Sequence, residues 1–456
     1  MAARSTIPAS ALPGPQMPVP MQLYKYRTLR TDWLMQLRQQ YGHRFRLNIR
    51  PKMNIYVLSD PEDVKQMFLA PRDKLHTGNG SAVLQKFMGN TGLAFLDEGE
   101  HLARRKSLLP AFKGDAFRRI QDSIDERARR AITTWPRNHV ASLHPFAHRY
   151  TTEVIREVIF GSFVPSCWDE LRDEVLGTMD FNTHAATFFL LHKMKRLTVR
   201  ALEAFRPTGL HDFLRHRERA DALIAQAVRE RMEHGELGDD MLSVMLGIKH
   251  DDGTPLSAVE LRDEMMTMFV AGTETTAAAI CWSLEMLSRT PAVRDRLIAE
   301  IDEGTDDAYL TATVHEVLRL RPPLPNIILR EVMKPIEIGG VRYEPGDQLW
   351  ASAYLLNRDA ERYEEPEEFR PERFLNIKPG TYTWIPFGGG HIRCLGDRIG
   401  IHEVKAMLRE VLSTCELHRA DPTPEGTRSR GVVIVPEHGA RLELRPRQPE
   451  AALADR

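Results

Sequence analysis

Residues 387–394 read Phe-Gly-Gly-Gly-His-Ile-Arg-Cys, and Leu395, Gly396 and a segment of helical character follow them. Three consecutive glycines let a backbone turn tightly and approach a flat ligand that a Cβ would push away. Cys394 lies where this loop opens into the helix, and the helix dipole with its unpaired N–H groups favours a thiolate over a thiol there. This stretch therefore predicts a cysteine thiolate that binds a metal beside a flat, closely approached ligand.

The spacing in this loop resembles the cysteine-ligand loop of the cytochrome P450 family. Phe387 lies seven residues before Cys394, Gly390 lies four before it, and Gly396 lies two after it. The resemblance implies haem b as the cofactor, with Cys394 as the axial ligand of the iron and with Phe387, Gly388 and Gly396 around it. A thiolate ligand donates electron density to haem iron and favours O–O cleavage.

One position departs from the family pattern. The family has Arg or His two residues before the cysteine to pair with a haem propionate, whereas this chain has Ile392. His391 and Arg393 lie on either side, and either neighbour is a candidate to replace that contact. A zinc site built from His391, Cys394 and His402 is the alternative, but zinc ligands commonly come as closely spaced pairs, and the chain contains no CxxC.

Composition describes an ordinary globular protein. The 456 residues are 27% charged and 42% hydrophobic with a net charge of -1, which gives no indication of nucleic-acid binding. Four cysteines without regular spacing fit a reducing compartment. We expect a proline-rich segment over residues 1–24 without a membrane anchor, a haem domain over 25–446 and a flexible tail over 447–456, in a cytoplasmic protein.

Periodicity places most of the chain in helices. Strand-like runs cluster near residues 43–58, 327–350 and 431–445, whereas the pattern between Pro61 and Arg319 is mostly helical. No repeat or Gly/Ser-rich linker divides the chain. The sequence thus predicts a single mainly α domain with small β-sheets (α+β), which is the fold that the resemblance to cytochrome P450 implies.

One segment, Met265 to Leu284, contains a single charged residue, Glu274. Its length would suit a transmembrane helix, but a carboxylate at mid-bilayer costs roughly 2.5–3.5 kcal/mol. A buried central helix is therefore the better interpretation. A buried carboxylate needs a partner, and a salt bridge to an arginine or lysine is the simplest one.

Within this helix, residues 271–276 read Ala-Gly-Thr-Glu-Thr-Thr, which resembles the oxygen-activation motif of the P450 central helix. The resemblance implies that Ala271 and Gly272 lie beside the haem, where the missing side chain of Gly272 leaves room for a diatomic ligand. It also implies that Thr275 hydrogen-bonds dioxygen and that Glu274 relays protons from solvent.

Two further patterns support the family. Glu316 and Arg319 are three apart on a predicted helix that Arg321-Pro322-Pro323 ends, and Arg373 follows in a segment that resembles the family's second arginine. The resemblance implies a buried structural triad of these three residues. It likewise implies propionate binding by His101 and Arg105 on one helix and by Arg330 on a strand.

We interpret the sequence as a haem-thiolate monooxygenase that acts on an apolar terpenoid, fatty acid, steroid or polyketide. It uses O2 and electrons from a separate ferredoxin with its reductase or from a flavodoxin. The pocket is expected near residues 76–95, 181–192, 268–276, 325–329 and 431–434, and an acidic partner is expected to meet Arg104, Arg118, Arg393 and Arg398. A peroxide-using or rearranging enzyme and a non-catalytic haem sensor are the alternatives.

Overall fold

Helices form most of the chain that the computed structural model describes, namely residues 6–50, 53–78, 84–179, 210–235, 238–304 and 306–447. The helices in these ranges are α1 (Val19–Thr28), α2 (Arg30–Tyr41), α3 (Pro61–Leu69), α4 (Gln85–Met88), α5 (Glu98–Leu108), α6 (Gly114–Ile132), α7 (His144–Phe160), α8 (Trp168–Met179), α9 (Leu210–His234), α10 (Met241–Leu246), α11 (Ala258–Arg289), α12 (Pro291–Glu303), α13 (Ala308–Leu320), α14 (Ala353–Leu356) and α15 (Asp397–Thr414). The predicted mainly helical class is confirmed.

Short strands complete the fold. They are β1 (Ile7–Pro8), β2 (Arg44–Arg50), β3 (Met53–Leu58), β4 (Leu75–His76), β5 (Val140–Ser142), β6 (Arg330–Val332), β7 (Ile336–Ile338), β8 (Val341–Tyr343), β9 (Gln348–Ala351), β10 (Cys415–Arg419), β11 (Thr427–Arg430), β12 (Val433–Pro436) and β13 (Arg441–Pro446). All three regions predicted to contain strands do contain them.

These strands form small separate sheets. The largest has the order β2-β3-β9-β6-β4, in which only the β3–β9 pair is parallel. The β10-β13-β5 sheet and the β11-β12 hairpin are antiparallel. In the largest sheet Arg330 lies opposite Leu349, so the first residue of β6 is fixed by pairing with β9.

The central helix α11 organises the helical part. Ser257 caps its N-terminus in a capping box with Glu260, in which each side chain bonds the other residue's backbone N–H. The helix then runs for 32 residues and is buried along most of its length. It packs against α7, α15 and β12, so side chains from distant parts of the sequence meet along it.

The N-terminal segment belongs to the packed fold. β1 pairs in parallel with β8, Ala9 and Leu12 are buried, and the Arg46 N–H donates to the carbonyl of Pro13 at 2.7 Å. Residues 7–13 therefore pack against the sheets, and the predicted domain bounds stay a prediction. Of the predicted flexible tail, residues 448–456 lie outside the described residues.

Within the described ranges, every helix is too short or too polar to cross a lipid bilayer. The predicted preference for a buried α11 agrees with this, because α11 is covered by protein on most sides. Its single buried mid-helix acid, Glu274, is compensated by partners from other elements.

Candidate active site

The loop before Cys394 is closed by a hydrogen bond from the Cys394 N–H to the carbonyl of Phe387, at 3.0 Å. Two of its glycines lie tightly against α3. A Cβ on Gly389 would lie 2.2 Å from Cδ2 of Phe68, and a Cβ on Gly390 would lie 2.4 Å from the Phe68 carbonyl oxygen. A side chain at either position would clash with Phe68. The two glycines therefore allow the loop to lie against α3.

Cys394 itself has an exposed side chain although it lies deep in the molecule. A side chain with both properties lines an internal cleft. Burial raises the pKa of its thiol to about 11, while the Gly396 N–H and the guanidinium groups of Arg393 and Arg105 act in the opposite direction. Without a metal, desolvation outweighs these groups and favours the protonated thiol.

A metal cation changes that balance, since a coordinated thiol is deprotonated by the charge of the metal. The zinc alternative finds no support, because the described residues contain no group of three or more His, Cys, Asp or Glu side chains placed to hold a metal. A single cysteine on a cleft wall instead suits a metal that arrives with its other ligands.

The middle of α11 borders open space. Ala271 is exposed and Thr275, one turn later, is half-buried, although Thr273 and Glu274 between them are buried. The hydroxyl of Thr275 donates to the Ala271 carbonyl at 2.7 Å. α15, which follows Cys394, comes close to this part of α11, since a Cβ on Gly400 would lie 3.6 Å from Oγ1 of Thr276.

Gly272 lies against α7. A Cβ on Gly272 would lie 2.2 Å from Cδ1 of Ile155, so its bare side faces α7. That it leaves room for a diatomic ligand stays a prediction. The glycine allows α7 and α11 to pack closely. Ala271 is the residue of this pair that borders open space.

Glu274 is buried in a cluster of basic side chains. Its Oε1 lies 2.9 Å from Nε2 of His144 and 3.0 Å from Nε of Arg430, and its Oε2 lies 3.3 Å from Nε2 of His148. Burial acts to raise the pKa of Glu274, but these three partners lower it to about 2. The carboxylate is thus ionised at neutral pH and joins α7, α11 and β11.

Arg330 is fully buried and lacks a carboxylate partner among the described residues. Its Nη1 donates to the Met67 carbonyl at 2.8 Å and its Nη2 to the Gly389 carbonyl at 3.4 Å, while Nε has no acceptor. Burial lowers its pKa to about 10. A buried cation that is bound only by carbonyls fits a site for an anionic ligand.

His101 and His391 lie beside this cation. Their rings meet edge to face with centroids 5.8 Å apart, and Nδ1 of the buried His101 has no hydrogen-bond partner in the described chain. Burial lowers the pKa of each imidazole to about 4, so both are neutral hydrogen-bond donors at pH 7. Arg105, one turn after His101, is half-buried and close enough to Cys394 to interact with its charge.

The other neighbour of Ile392 has a partner of its own. Nε and Nη2 of Arg393 lie 2.9 and 2.8 Å from Oδ2 of Asp397, an ion pair one turn long at the start of α15. That Arg393 binds the cofactor stays a prediction, and its guanidinium is engaged by Asp397 here. His391 is the other candidate, as a neutral donor, for the contact that Ile392 cannot make.

The structure brings the predicted triad together. Nε and Nη2 of the buried Arg319 donate to the two carboxylate oxygens of Glu316 at 2.7 and 2.9 Å, and Nε of Arg373 donates to Oε1 at 3.3 Å. Nη1 of Arg319 donates to the carbonyls of Asn357 and Pro366. The triad thereby joins α13 to the segments after α14.

Sequence reasoning missed several partners. It did not identify His144, His148 or Arg430 around Glu274, although a buried acid required partners and the histidines are four apart on one helix face. It also placed Arg104 on a basic surface. Arg104 is buried and donates to Glu260 at 2.8 Å, so it cannot meet a protein partner.

These residues fit haem. The glycine loop leaves space beside a cleft-lining cysteine, and the buried Arg330 and His101 offer unused donors for carboxylates. A flat dianionic macrocycle that brings its own metal satisfies both features. Phe387 and Gly388 before Cys394 and Gly396 after it belong to the same loop.

Comparison with known proteins agrees with this geometry. The sequence model of the family described as Cytochrome P450 matches residues 12–444. The chain is 34% identical to putative cytochrome P450 137 of Mycobacterium tuberculosis, over 91% of this chain and 85% of that protein. It is 31% identical to putative cytochrome P450 135A1 of the same organism, over 99% of both.

Solved structures share the fold. The retinoic acid-bound cyanobacterial CYP120A1 superposes with a TM-score of 0.80 at 20% identity, over 93% of this chain and 96% of that one. The chain belongs to the cytochrome P450 family. It is a haem-thiolate monooxygenase, which binds iron protoporphyrin IX through a cysteine thiolate and uses O2 with electrons from a redox partner.

Proposed function

We propose that this chain inserts one oxygen atom of O2 into an apolar organic substrate of the terpenoid, fatty-acid, steroid or polyketide type. The observation that carries the proposal is the exposed strip of Ala271 and Thr275 in the middle of an otherwise buried helix. Thr275 supplies a hydroxyl there, and the ionised Glu274 lies next to it in sequence.

Haem bound through a thiolate supplies the oxygen-activating chemistry, and the protein supplies binding, orientation and protons. In this proposal Cys394 holds the iron. Arg330, Arg105, His101 and His391 bind the two propionates, because they surround the site with donors that lack carboxylate partners among the described residues.

In this proposal, side chains of α11 and α7 deliver the protons. The Thr275 hydroxyl donates its own proton to the Ala271 carbonyl, which leaves its oxygen free to accept a hydrogen bond from the cleft. Glu274 has a pKa near 2 and therefore stays ionised at neutral pH. His144 and His148 of α7 contact this carboxylate through their Nε2 atoms. We propose that protons enter through these imidazoles and pass by way of Glu274 towards Thr275.

An apolar substrate is proposed from the face of α11 that borders open space. Met268 is half-buried and Ala271 is exposed there, and both side chains are apolar. The further pocket segment predicted at Phe181–His192 lies outside the described residues. The proposed substrate class therefore rests on this face of α11.

The electron donor is proposed to be a separate ferredoxin or flavodoxin. Arg118 and Arg398 have exposed side chains that an acidic partner can reach, although Arg118 also pairs with Asp115. Arg104 is buried and Arg393 is paired with Asp397. A cytoplasmic location stays a prediction.

A peroxide-using enzyme is the second candidate class. Such an enzyme has less need of proton delivery to dioxygen, so the Thr275 hydroxyl and the Glu274 cluster favour the monooxygenase. A rearranging enzyme is disfavoured for the same reason. A non-catalytic haem sensor would need an element that transmits a signal, and none is evident in the described chain.

The test begins with a spectral screen of terpenoid, fatty-acid, steroid and polyketide panels for a low-to-high spin shift of the haem. A compound that shifts the spectrum is then incubated with 18O2, NADPH and a surrogate ferredoxin with its reductase. One labelled oxygen atom in the product supports the proposal. Product that forms only with hydrogen peroxide would assign the chain to the second class.

A further inference from the structure

The segment at residues 89–93 lies against the N-terminal part of α11 and is bound to two consecutive buried acids. Oδ2 of Asp263 accepts hydrogen bonds from the N–H groups of Asn90 and Thr91 and from the Thr91 hydroxyl, at 2.9, 3.1 and 2.8 Å. Oε2 of Glu264 accepts from the Leu93 N–H at 2.7 Å. Both carboxylates are almost fully buried.

The sequence of the segment suits this contact. Gly89 has φ +84, and a Cβ there would lie 1.9 Å from Cγ of Asp263. A Cβ on Gly92 would lie 2.7 Å from Oγ1 of Thr267 and 3.1 Å from the Asp263 carbonyl oxygen. Two glycines thus allow the backbone to reach the acids, which is independent support for a built anchor.

The anchored segment lies at the cleft. Glu264, Met268, Ala271 and Thr275 are spaced by four, three and four residues, so they follow one face of α11. Ala271 and Thr275 on this face border open space. The segment therefore covers the same face about two turns before Ala271, where it forms a wall over the cleft.

Other charged groups complete the anchor. Arg262 donates to Oδ1 of Asp263 at 2.6 Å, and Arg217 of α9 donates to the Phe87 carbonyl just before the segment. Arg104 of α5 lies 3.6 Å from Oε2 of Glu264. Carboxylate acceptors make stronger hydrogen bonds than neutral ones, so the charge of Asp263, which accepts three of the four bonds from the segment, matters as well as its shape.

We propose that Asp263 and Glu264 are positioning residues that hold residues 89–93 as a wall of the substrate pocket and so determine which ligands are admitted. The inference rests on the proposed function, because it takes the cleft beside Ala271 as the substrate site. It does not depend on which substrate class is correct.

The test measures azole binding to the haem-loaded protein by stopped-flow absorbance, with imidazole as the small probe and clotrimazole as the bulky one. Asp263→Asn with Glu264→Gln keeps the side-chain shapes but removes the charges. We expect the association rate of clotrimazole to rise about tenfold, because association is slow when it requires displacement of protein. The association rate of imidazole should change by less than about twofold, since this small ligand can bind without displacing protein.

Two further variants make the outcome specific. Thr91→Val removes one hydrogen bond from the segment side and should raise the clotrimazole rate in the same direction even if the double variant folds poorly. Glu285→Gln alters an equally buried carboxylate of α11 about 30 Å along the helix and should leave both rates unchanged.

Equal changes for both azoles, or no change for clotrimazole, would overturn the inference. The carbon monoxide spectrum of each variant separates this failure from a failure of the proposed function. Variants that retain the haem-thiolate spectrum but show unaltered clotrimazole binding reject the anchor alone. Wild-type protein without that spectrum rejects the proposed function.

Discussion

Glu274 and His144 are 130 residues apart in the sequence, yet Oε1 of Glu274 lies 2.9 Å from Nε2 of His144. The pair joins the middle of α11 to the first residue of α7. Arg430 reaches the same oxygen from β11, so one carboxylate holds three elements together. The acid proposed to serve proton delivery is therefore also a structural connection.

Glu274→Gln should destabilise the folded protein by about 3 kcal/mol, because it leaves buried basic groups without their anion. Since the pKa of Glu274 is lowered from 4.5 to about 2, its contribution is present above pH 4.5 and is lost as the pH falls towards 2. Urea unfolding should show that the free energy of unfolding of the wild type exceeds that of the variant by a large amount at pH 7. The difference should be smaller at pH 3.5.

The matched control for this variant is Glu372→Gln, which removes an exposed carboxylate that pairs with Arg296 at 2.8 Å. Exposed pairs contribute about 0–1 kcal/mol, so this change should be small. Equal effects of the two substitutions would mean that the Glu274 cluster adds no stability.

Thr275→Ala should lower the fraction of consumed electrons that ends in product. The variant keeps the apolar wall of the cleft, so a compound found by the spectral screen should still shift the spin state. Loss of the hydroxyl that accepts a hydrogen bond from the cleft should divert electrons into hydrogen peroxide. The ratio of peroxide to product, measured against NADPH consumed, checks this, and an unchanged ratio would remove Thr275 from proton delivery.

Arg330→Ala should release haem faster than the wild type. A hydrogen bond from a charged donor contributes about 1.5–3 kcal/mol, which corresponds to roughly 10- to 100-fold in the dissociation rate. Arg393→Ala, whose side chain pairs with Asp397, should release haem at nearly the wild-type rate. Transfer of haem to apomyoglobin measures both rates.

Ile392→Arg adds the cation that the family pattern has at this position, and it should partly rescue Arg330→Ala. A double-mutant cycle measures that coupling. Purely additive effects would mean that His391 or another group already supplies the contact at position 392.

Glu264 should make stability fall as the pH rises towards neutrality. Burial, with Asp263 and Glu260 nearby, raises its pKa from 4.5 to about 7 against the opposing Leu93 N–H and Arg104. An acid with a raised pKa favours the folded state most below pH 4.5, and this contribution is lost between pH 4.5 and 7. The loss should be on the order of 3 kcal/mol.

Glu264→Gln should lack this loss, so the difference in free energy of unfolding between variant and wild type should grow from pH 4.5 to pH 7.5. Urea unfolding at several pH values provides the curve. A wild type and variant with parallel pH profiles would show that Glu264 does not titrate in this range.

Features encoded within short stretches could be predicted from the sequence. The glycines before Cys394, the i,i+3 pair of Glu316 and Arg319, and the single charge between residues 265 and 284 each depend on neighbours in the chain. The helical class followed from the same local periodicity.

Features that depend on tertiary contacts could not be predicted. The direction of Gly272 towards Ile155 depends on how α7 crosses α11. The partners of Glu274 come from α7 and β11, far away in sequence. The pKa of the Cys394 thiol likewise depends on its burial, which cannot be read from a local motif.

The most direct test of the central claim is the spectrum of the reduced protein under carbon monoxide. If Cys394 binds haem iron as a thiolate, the wild type should show a strongly red-shifted Soret band, and Cys394→His should abolish it while Cys415→Ser retains it. A wild-type spectrum of the imidazole-ligated type, or a red-shifted band that survives in Cys394→His, would contradict the account.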